Sequence, residues 1–276
     1  MTNEIDDMLL LGGAEGPEIL HCDVGGGQAI AYTCRAPGKQ TENEDTVAII
    51  AYGPGAGVLV VADGAGGLPA GKRASLTAVE TLAASLHAAI DKTTLLRTAI
   101  LNGIEAANDA VLDLANGSAT TMTVITVEGL QARSYQVGDS EAIIVGQRGR
   151  IKLQTTAHSP TGFAVEAGFL DEREALHHKE RHLVSNFLGT SDMRIDVGAS
   201  VELRPRDTVI VASDGLMDNV HTSEIVDCIR KGPLQGAVMD AVHLADQRML
   251  NAQQGEPSKP DDLSLIVFRK PYRRDI

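Results

Sequence analysis

Five short acidic motifs are spread along this sequence of 276 residues, each at the end of an apolar run of strand length or just before one. Mg²⁺ and Mn²⁺ prefer carboxylate, carbonyl and water oxygens, so such ions can be held without any His or Cys ligand. The pattern therefore predicts a site for two or three divalent cations at strand ends. The motifs are Glu44-Asp45, Asp63-Gly64, Asp139 in a Gly-Asp-Ser turn, Asp214 with Asp218, and Asp261-Asp262.

Two of the motifs share one design, in which a β-branched apolar run ends at a carboxylate. The run at 58–62 leads to Asp63, after which several glycines let the backbone turn tightly and bring a carbonyl close to a ligand. The run at 208–212 leads to Asp214, and Asp218 follows at the start of a helix-like stretch. Each motif alone has a simpler explanation, because an Asp is common in turns and at helix caps. The five together, in one order, indicate metal binding.

The composition argues against several classes of function. A formal net charge of −13 repels nucleic acid and anionic membranes, and four Tyr, four Phe and no Trp leave little surface for stacking bases. No apolar run reaches the roughly 18 residues of a membrane span, and the polar, acidic first residues are unlike a secretory signal. Cys22, Cys34 and Cys228 lack metal-site spacing and fit a reducing compartment. We therefore expect a cytoplasmic protein that binds neither nucleic acid nor membranes.

The order of apolar runs predicts strands grouped around pairs of helices. Helix-like stretches start at Pro69 and at an N-cap at Thr93, and a second pair lies at about 223–231 and 234–251. This grouping favours sheets covered by helices over alternating βαβ units. The expected strands are 19–24, 28–34, 46–51, 58–62, 120–127, 132–137, 142–145, 201–203, 208–212 and 263–269.

In this order and with these neighbours, the acidic motifs resemble those of the metal-dependent serine/threonine protein phosphatases, the PPM or type 2C family. The resemblance covers roughly residues 25–270. It implies an α+β fold, a central sandwich of two antiparallel β-sheets flanked on both outer faces by pairs of α-helices, with a flap insertion. We expect a loose leader at 1–16 and one catalytic domain at 17–271, with the histidine-rich, highly charged flap at about 155–197. His158-Ser159 and the segment from Asn186 to Gly189 are further marks of the family, with no catalytic role assigned.

The resemblance also assigns roles to the acidic residues. It implies that Asp63 bridges two ions and that the Gly64 carbonyl binds one of them. Asp261 matches the family position better than Asp262, although a shift of one residue is left open. The implied metal ligands are Glu44, Asp45 (direct or through water), Asp63, Gly64, Asp214 and Asp261, with an additional, weaker site at Asp139 and Asp218.

Two ions about 3.5–4 Å apart lower the pKa of a shared water, orient it and neutralise phosphate charge during in-line attack. The resemblance thus implies single-step hydrolysis of phosphoserine and phosphothreonine in proteins, without a phosphoenzyme. The attacking species would be a metal-bridged water held by Asp63 and Asp45. The expected cofactors are two Mn²⁺ or Mg²⁺ ions with a third at the additional site. The expected partner is a phosphorylated protein from a Ser/Thr kinase pathway.

Two residues depart from the family pattern. Gln40 stands where many members carry an Arg that grips the phosphate, which leaves the neighbouring Lys39, or Arg35 if the loop is shifted, as the candidate phosphate-binding cation. Ala65 stands where the animal enzymes have a His that protonates the leaving group, although bacterial members often have a small residue there. The alternative is therefore a pseudophosphatase that binds a phosphoprotein or signalling partner. A phosphatase acting within a partner-switching system differs in substrate only.

Overall fold

Two antiparallel β-sheets form the centre of the computed structural model, which describes residues 8–13, 16–65 and 70–271. The first sheet has seven strands, the second has six, and two short strands pair separately. In chain order the elements are β1 (Met8–Gly12), β2 (Glu18–Val24), β3 (Gly27–Cys34), β4 (Thr46–Ala51), β5 (Ala56–Ala62), β6 (Gly64–Ala65), α1 (Ala70–Asp91), α2 (Leu96–Leu112), β7 (Ala119–Thr120), β8 (Met122–Glu128), β9 (Gln131–Val137), β10 (Glu141–Val145), β11 (Ile151–Gln154), α3 (Pro160–Glu166), α4 (Glu172–Leu176), β12 (Asp196–Val197), β13 (Val201–Glu202), β14 (Thr208–Ala212), α5 (Asp214–Met217), α6 (Thr222–Ile229), α7 (Leu234–Leu250) and β15 (Leu263–Arg269).

The strand order places non-consecutive strands side by side in both sheets. The first sheet runs β1-β4-β5-β8-β9-β12, with β13 also paired to β9, and the second runs β11-β10-β14-β15-β3-β2. The short strands β6 and β7 pair with each other. As a result, β15, the last strand described, lies in the middle of the second sheet between β14 and β3.

The central strands β5 and β14 are almost entirely apolar because both of their faces are covered. In β5, Val60 belongs to the apolar layer between the first sheet and helices α1 and α2, whereas Val61 belongs to the layer between the two sheets. In β14, Val211 lies in that same inter-sheet layer, and Ile210 lies in the layer formed with α6 and α7. A strand that is buried on both faces does not show the alternation of apolar and polar residues that a half-exposed strand shows.

This architecture confirms the α+β fold expected from the sequence, with a sandwich of two antiparallel sheets and helices on both outer faces. The segment expected to be a flap holds the short helices α3 and α4. No helix in the described part of the chain is long and apolar enough to cross a bilayer.

The helix start expected at Thr93 is wrong. Helix α2 begins at Leu96 with Leu95 as its N-cap, and Thr93 has a left-handed backbone with φ of 53°. The Thr93 N–H donates to the Ile90 carbonyl at 3.0 Å, so Thr93 belongs to the turn that closes α1. A Thr near a helix boundary therefore marked the end of one helix rather than the start of the next.

Two other expectations need correction. The stretch expected to be a loose leader contains β1, whose residues from Met8 onward pair with β4 at the edge of the first sheet, while residues 1–7 lie outside the described part. Met8 is buried there, because the edge strand packs against the core formed with α1. Asp218 is the C-cap of α5 rather than the start of a helix, and its N–H donates to the Asp214 carbonyl at 2.7 Å.

Candidate metal centre

The register of the first sheet brings two acidic motifs together. Thr46 at the start of β4 pairs with Ala62 at the end of β5. Asp45 precedes the first of these residues and Asp63 follows the second, so both carboxylates emerge at the same end of the sheet. Pairing between antiparallel strands thus converts two positions 18 residues apart into neighbours.

The second sheet does the same for three other motifs. Ala212 at the end of β14 pairs with Glu141 of β10 on one side and with Leu265 of β15 on the other. The turn before β10, the residues after β14 and the residues before β15 therefore meet at one end. The two sheets are joined there, because the Ser213 hydroxyl donates to Asp45 Oδ2 at 2.8 Å. The residues brought together from the second sheet are Asp139, Asp214, Asp218 and Asp261.

We call Glu44, Asp45, Asp63, Asp139, Asp214, Asp218 and Asp261 the acidic cluster. Asp63 lies at its centre. Burial raises the pKa of Asp63 well above its ordinary value, and neighbouring carboxylates raise this pKa further, with Asp45 the largest contributor, followed by Asp214, Asp261 and Asp139. Burial followed by repulsion from Asp214 also raises the pKa values of Asp218 and Asp261 to about 6. So much negative charge in a buried place requires compensation by cations.

Several carboxylates of the acidic cluster have one oxygen satisfied by the protein and the other left free. Ser213, Lys39 and Lys259 donate to one oxygen of Asp45, Glu44 and Asp214, respectively. An unpaired buried carboxylate oxygen is costly, and hard divalent cations bind such oxygens well. The donor set therefore fits Mg²⁺ or Mn²⁺. Within the ranges 8–13, 16–65 and 70–271, the buried carboxylate oxygens of the cluster that have no hydrogen-bond partner are Glu44 Oε1, Asp45 Oδ1, Asp139 Oδ1 and Asp214 Oδ1.

Lys39 lies at one edge of the acidic cluster. Its ammonium group is 2.8 Å from Glu44 Oε2 and 2.6 Å from Asp262 Oδ2. Burial lowers the pKa of Lys39, but these two carboxylates outweigh burial and raise it above its ordinary value. Gln40 is exposed and its amide turns away to the Gly38 carbonyl, at 3.2 Å. Of these two residues, only Lys39 therefore presents a charge to the site.

Lys259 lies at the opposite edge. Its ammonium contacts Asp214 Oδ2 and lies 2.9 Å from Asp218 Oδ2 and 3.4 Å from Asp261 Oδ2. Burial lowers the pKa of Lys259, but the three carboxylates outweigh burial and raise it, Asp214 most of all. In the described part of the chain, no group of three or more His, Cys, Asp or Glu side chains is arranged in this structure so that it could hold a metal ion.

Glycines let the backbone approach the acidic cluster closely. A Cβ at Gly71 would lie 2.5 Å from Glu44 Oε1 and 2.7 Å from the Gly64 carbonyl oxygen. The Glu44 carboxylate and the Gly64 carbonyl therefore share a space that only a glycine at the start of α1 leaves open. The close approach of the backbone thus brings together two oxygens that were separately predicted as metal ligands.

Sequence reasoning missed the residues that hold the predicted ligands in position. Asp262 accepts hydrogen bonds from the backbone N–H groups of Ala36 and Glu44, both at 2.8 Å, so its buried carboxylate fastens the loop that carries Glu44. Ser213 orients Asp45 and itself accepts from the Ser264 N–H at 3.1 Å. The only sequence signal was position, since each lies directly beside a predicted ligand.

His158 and Asn186, which the sequence marked without a role, hold the turn before Asp139. The Gly138 N–H donates to His158 Nδ1 at 3.1 Å, and the Asn186 amide lies 2.8 Å from the same atom. With Nδ1 accepting, Nε2 carries the proton and bonds Asp196 Oδ2 at 2.9 Å. This arrangement ties the flap to the strand end that carries Asp139.

A cavity of about 540 Å³ extends from the acidic cluster to the flap. Asp139, Asp214 and Asp218 line one side of it, and helices α3 and α4 line the other. Arg173 and Arg181 also face this cavity. A charged side chain carried on an extended peptide would therefore have space to reach the carboxylates from the flap side.

Known proteins of one family are similar to this chain over most of its length. The family model for protein phosphatase 2C matches residues 36–250. The protein phosphatase PhpP of Streptococcus pneumoniae serotype 2 (strain D39) is 30% identical over 199 residues, which cover 69% of this chain and 80% of that protein. The PPM Ser-Thr phosphatase MsPP from Mycobacterium smegmatis, solved in complex with cacodylate, is 27% identical with a TM-score of 0.71, and the match covers 87% of this chain and 97% of that one. The catalytic domain of PstP, solved with two manganese ions, has the same fold with a TM-score of 0.68 at 22% identity, covering 92% of this chain and 98% of that one.

Proposed function

Since this chain belongs to the protein phosphatase 2C family of protein serine/threonine phosphatases, we propose that it removes phosphate from phosphoserine and phosphothreonine in one metal-assisted step without a phosphoenzyme. The observation that carries the proposal is the set of buried carboxylate oxygens that no donor among the described residues satisfies. When bound, two divalent ions supply an activated water and neutralise phosphate charge. The carboxylates of the acidic cluster would hold the ions, and Lys39 would contact the substrate phosphate.

The ligands of the two ions are proposed from the acidic cluster. Asp63 lies between the carboxylates of both sheets, which suits a bridging position. Asp261 faces the cluster beside Lys259, whereas Asp262 is fully engaged with Lys39 and backbone N–H groups, and this division favours Asp261 as the ligand. The proposed set is Glu44, Asp45, Asp63, the Gly64 carbonyl, Asp214 and Asp261.

Lys39 is the proposed phosphate-binding cation. Its ammonium is already at the edge of the acidic cluster, held by Glu44 and Asp262. Arg35, the alternative, directs its guanidinium to the Thr41 carbonyl at 3.4 Å. A lysine binds phosphate as a point charge without the two-pronged geometry of Arg, so we expect weaker substrate binding than an Arg would give.

We propose the kind of metal ion, the class of substrate and the cellular compartment of the protein, without naming a specific ion or a specific substrate. Oxygen-only ligands suit Mn²⁺ and Mg²⁺ alike, and we propose that either ion supports turnover. The substrate is a protein phosphorylated by a Ser/Thr kinase. The three free cysteines support a reducing, cytoplasmic setting.

The experiment that tests this function is hydrolysis of a phosphothreonine peptide by the purified protein with Mn²⁺, with Mg²⁺ and with chelator. We expect turnover with either ion, none with chelator, and no ³²P-labelled protein after acid quench. An exposed control variant, Asp109→Asn in α2, should behave as the wild type. Full activity in chelator or a trapped phosphoenzyme would refute the mechanism. A folded protein that binds Mn²⁺ yet turns over no phosphopeptide would instead support the pseudophosphatase alternative.

Ser213→Ala should weaken Mn²⁺ binding by about 10–100-fold, the usual cost of losing a partner that orients a metal ligand. The substitution leaves Asp45 Oδ2 without its donor, so the carboxylate is free to rotate away from the site. Calorimetric titration with Mn²⁺ measures the effect, and the exposed Ser191→Ala is the matched control. An affinity equal to that of the wild type would show that Ser213 does not position Asp45.

A further inference from the structure

Lys259 is the one member of the site whose role neither the sequence pattern nor the proposed function explains. Its ammonium bonds one oxygen of Asp214 and lies 2.9 Å from Asp218 Oδ2. Asp214 and Asp218 are one helical turn apart and lie on the same side of the acidic cluster as Asp139. A single ammonium thus occupies the face at which the sequence predicted an additional, weaker metal site.

The position of Lys259 is fixed by its backbone and not only by its flexible side chain. The Lys259 N–H donates to Asn219 Oδ1 at 2.6 Å, and Asn219 Nδ2 donates back to the Lys259 carbonyl at 2.8 Å. Asn219 is fully buried and its amide also bonds the Gly215 carbonyl at 2.9 Å. The residue that anchors Lys259 is therefore tied to α5, the helix that carries Asp214 and Asp218.

Two carboxylate oxygens on this face, one on Asp214 and one on Asp139, are buried and have no hydrogen-bond partner among the described residues. Asp214 gives Oδ2 to Lys259 and keeps Oδ1 buried and unpartnered, as required of a ligand to an ion on the other side. Asp139 is 8% exposed, and its Oδ1 is also buried without a partner. Asp139 therefore retains a free ligand atom beside carboxylates that the ammonium has already engaged.

We propose that Lys259 is a built-in cation that takes the place of a third divalent ion on the Asp139–Asp214–Asp218 face, so that this chain binds two ions where an open face would bind three. The inference rests on the proposed metal centre. The ammonium carries one positive charge and competes for the same oxygens from a tethered position. Removing it would leave three adjacent carboxylates, with one free oxygen already present, which is a donor set for a hard cation.

The test counts bound Mn²⁺ by electron paramagnetic resonance titration in the absence of substrate. We expect about two ions for the wild type and about three for Lys259→Met, the third binding more weakly. Lys259→Arg keeps the charge and should remain at two, and the double variant Lys259→Met with Asp139→Asn should return to two. Lys259→Gln replaces the methionine variant if the latter does not give the wild-type circular dichroism spectrum.

A melting experiment gives a second readout. In chelator, Lys259→Met should melt below the wild type because Asp214 and Asp218 lose their counter-charge. Saturating Mn²⁺ should then raise its melting temperature by more than it raises that of the wild type, since an extra ion binds. Three ions on the wild type, or no additional ion on either neutral variant, would overturn the inference. Two ions on the wild type without phosphopeptide hydrolysis would leave it standing and refute the proposed function instead.

Discussion

Asp63→Asn should lower Mn²⁺-dependent hydrolysis of a phosphothreonine peptide by more than about 100-fold, because losing even an outer partner of a metal ligand costs about 10–100-fold. Asp63 lies at the centre of the acidic cluster, where burial and then carboxylates from both sheets raise its pKa. The amide keeps the size of the side chain but gives up the negative charge that a bridging ligand needs. The measurement is a steady-state assay over a range of Mn²⁺ concentrations.

The same variant should be at least as stable as the wild type when no metal is present. The pKa of Asp63 is raised in the folded protein, so this carboxyl favours folding below its unfolded pKa and opposes folding once the pH rises through its folded pKa. Near neutral pH the neutral amide removes that opposition. A melting temperature in chelator well below that of the wild type would show that the loss of activity comes from misfolding. Asp109→Asn, on an exposed part of α2, is the matched control for both measurements.

Gly215→Ala should be destabilising and should also impair catalysis. A Cβ on Gly215 would overlap the Asp262 carbonyl oxygen and lie 3.0 Å from the Leu263 Cα, and neither backbone atom can rotate away. We expect the free energy of unfolding to fall by about 1–3 kcal/mol, as for other overpacked sites. In a chain of this size the melting temperature changes by roughly 2–4 °C per kcal/mol. Because the clash would separate Asp214 from Asp261, hydrolysis should fall by about 100-fold, the cost of a misplacement near 1 Å.

Gly236→Ala in α7 is the matched control for this prediction. A Cβ at Gly236 meets no atom within 4 Å, and alanine is favoured over glycine in a helix by up to about 1 kcal/mol. The same exchange should therefore leave activity unchanged and stability equal or higher. Thermal melts followed by circular dichroism compare the two variants. Equal stability of both would show that α5 can move away from β15 without cost.

The fold could be expected from the sequence because the strong signals were local. The runs at β4, β5, β14 and β15 are β-branched and apolar, and their expected bounds differ from the observed ones by at most two residues. The predicted boundaries of helices and strands were wrong where two local sequence signals compete. Thr93 has the sequence signal of a helix cap, but it lies in the turn that closes α1. The stretch that contains β1 resembles a loose leader, because β1 is ordered by its pairing with β4. No local pattern reports a partner that is 42 residues away along the chain, as Ile50 is from Met8.

The candidate site was also only partly predictable. The acidic residues were visible because each follows or precedes a strand-like run, and register brings strand ends together. Lys259 was not, because it lies in a polar loop with no periodicity and acquires its role from long-range contacts with α5. Asp262 was considered only as an alternative ligand, whereas it holds the loop of Glu44. Contacts of this kind depend on the assembled fold and leave no mark in the spacing of residues.

The central place of β15 has a consequence for when the protein can become active. β3 and β14 have no neighbour on one side until β15 pairs with both of them, and Asp261 enters the acidic cluster only with that strand. During synthesis, a ribosome must therefore release nearly the whole described chain before the metal centre can close. A nascent chain that ends before β15 retains most of its sequence but lacks Asp261 and the strand that joins β3 to β14. Because of this topology, a chain that has not yet been fully synthesised cannot remove phosphate from other proteins.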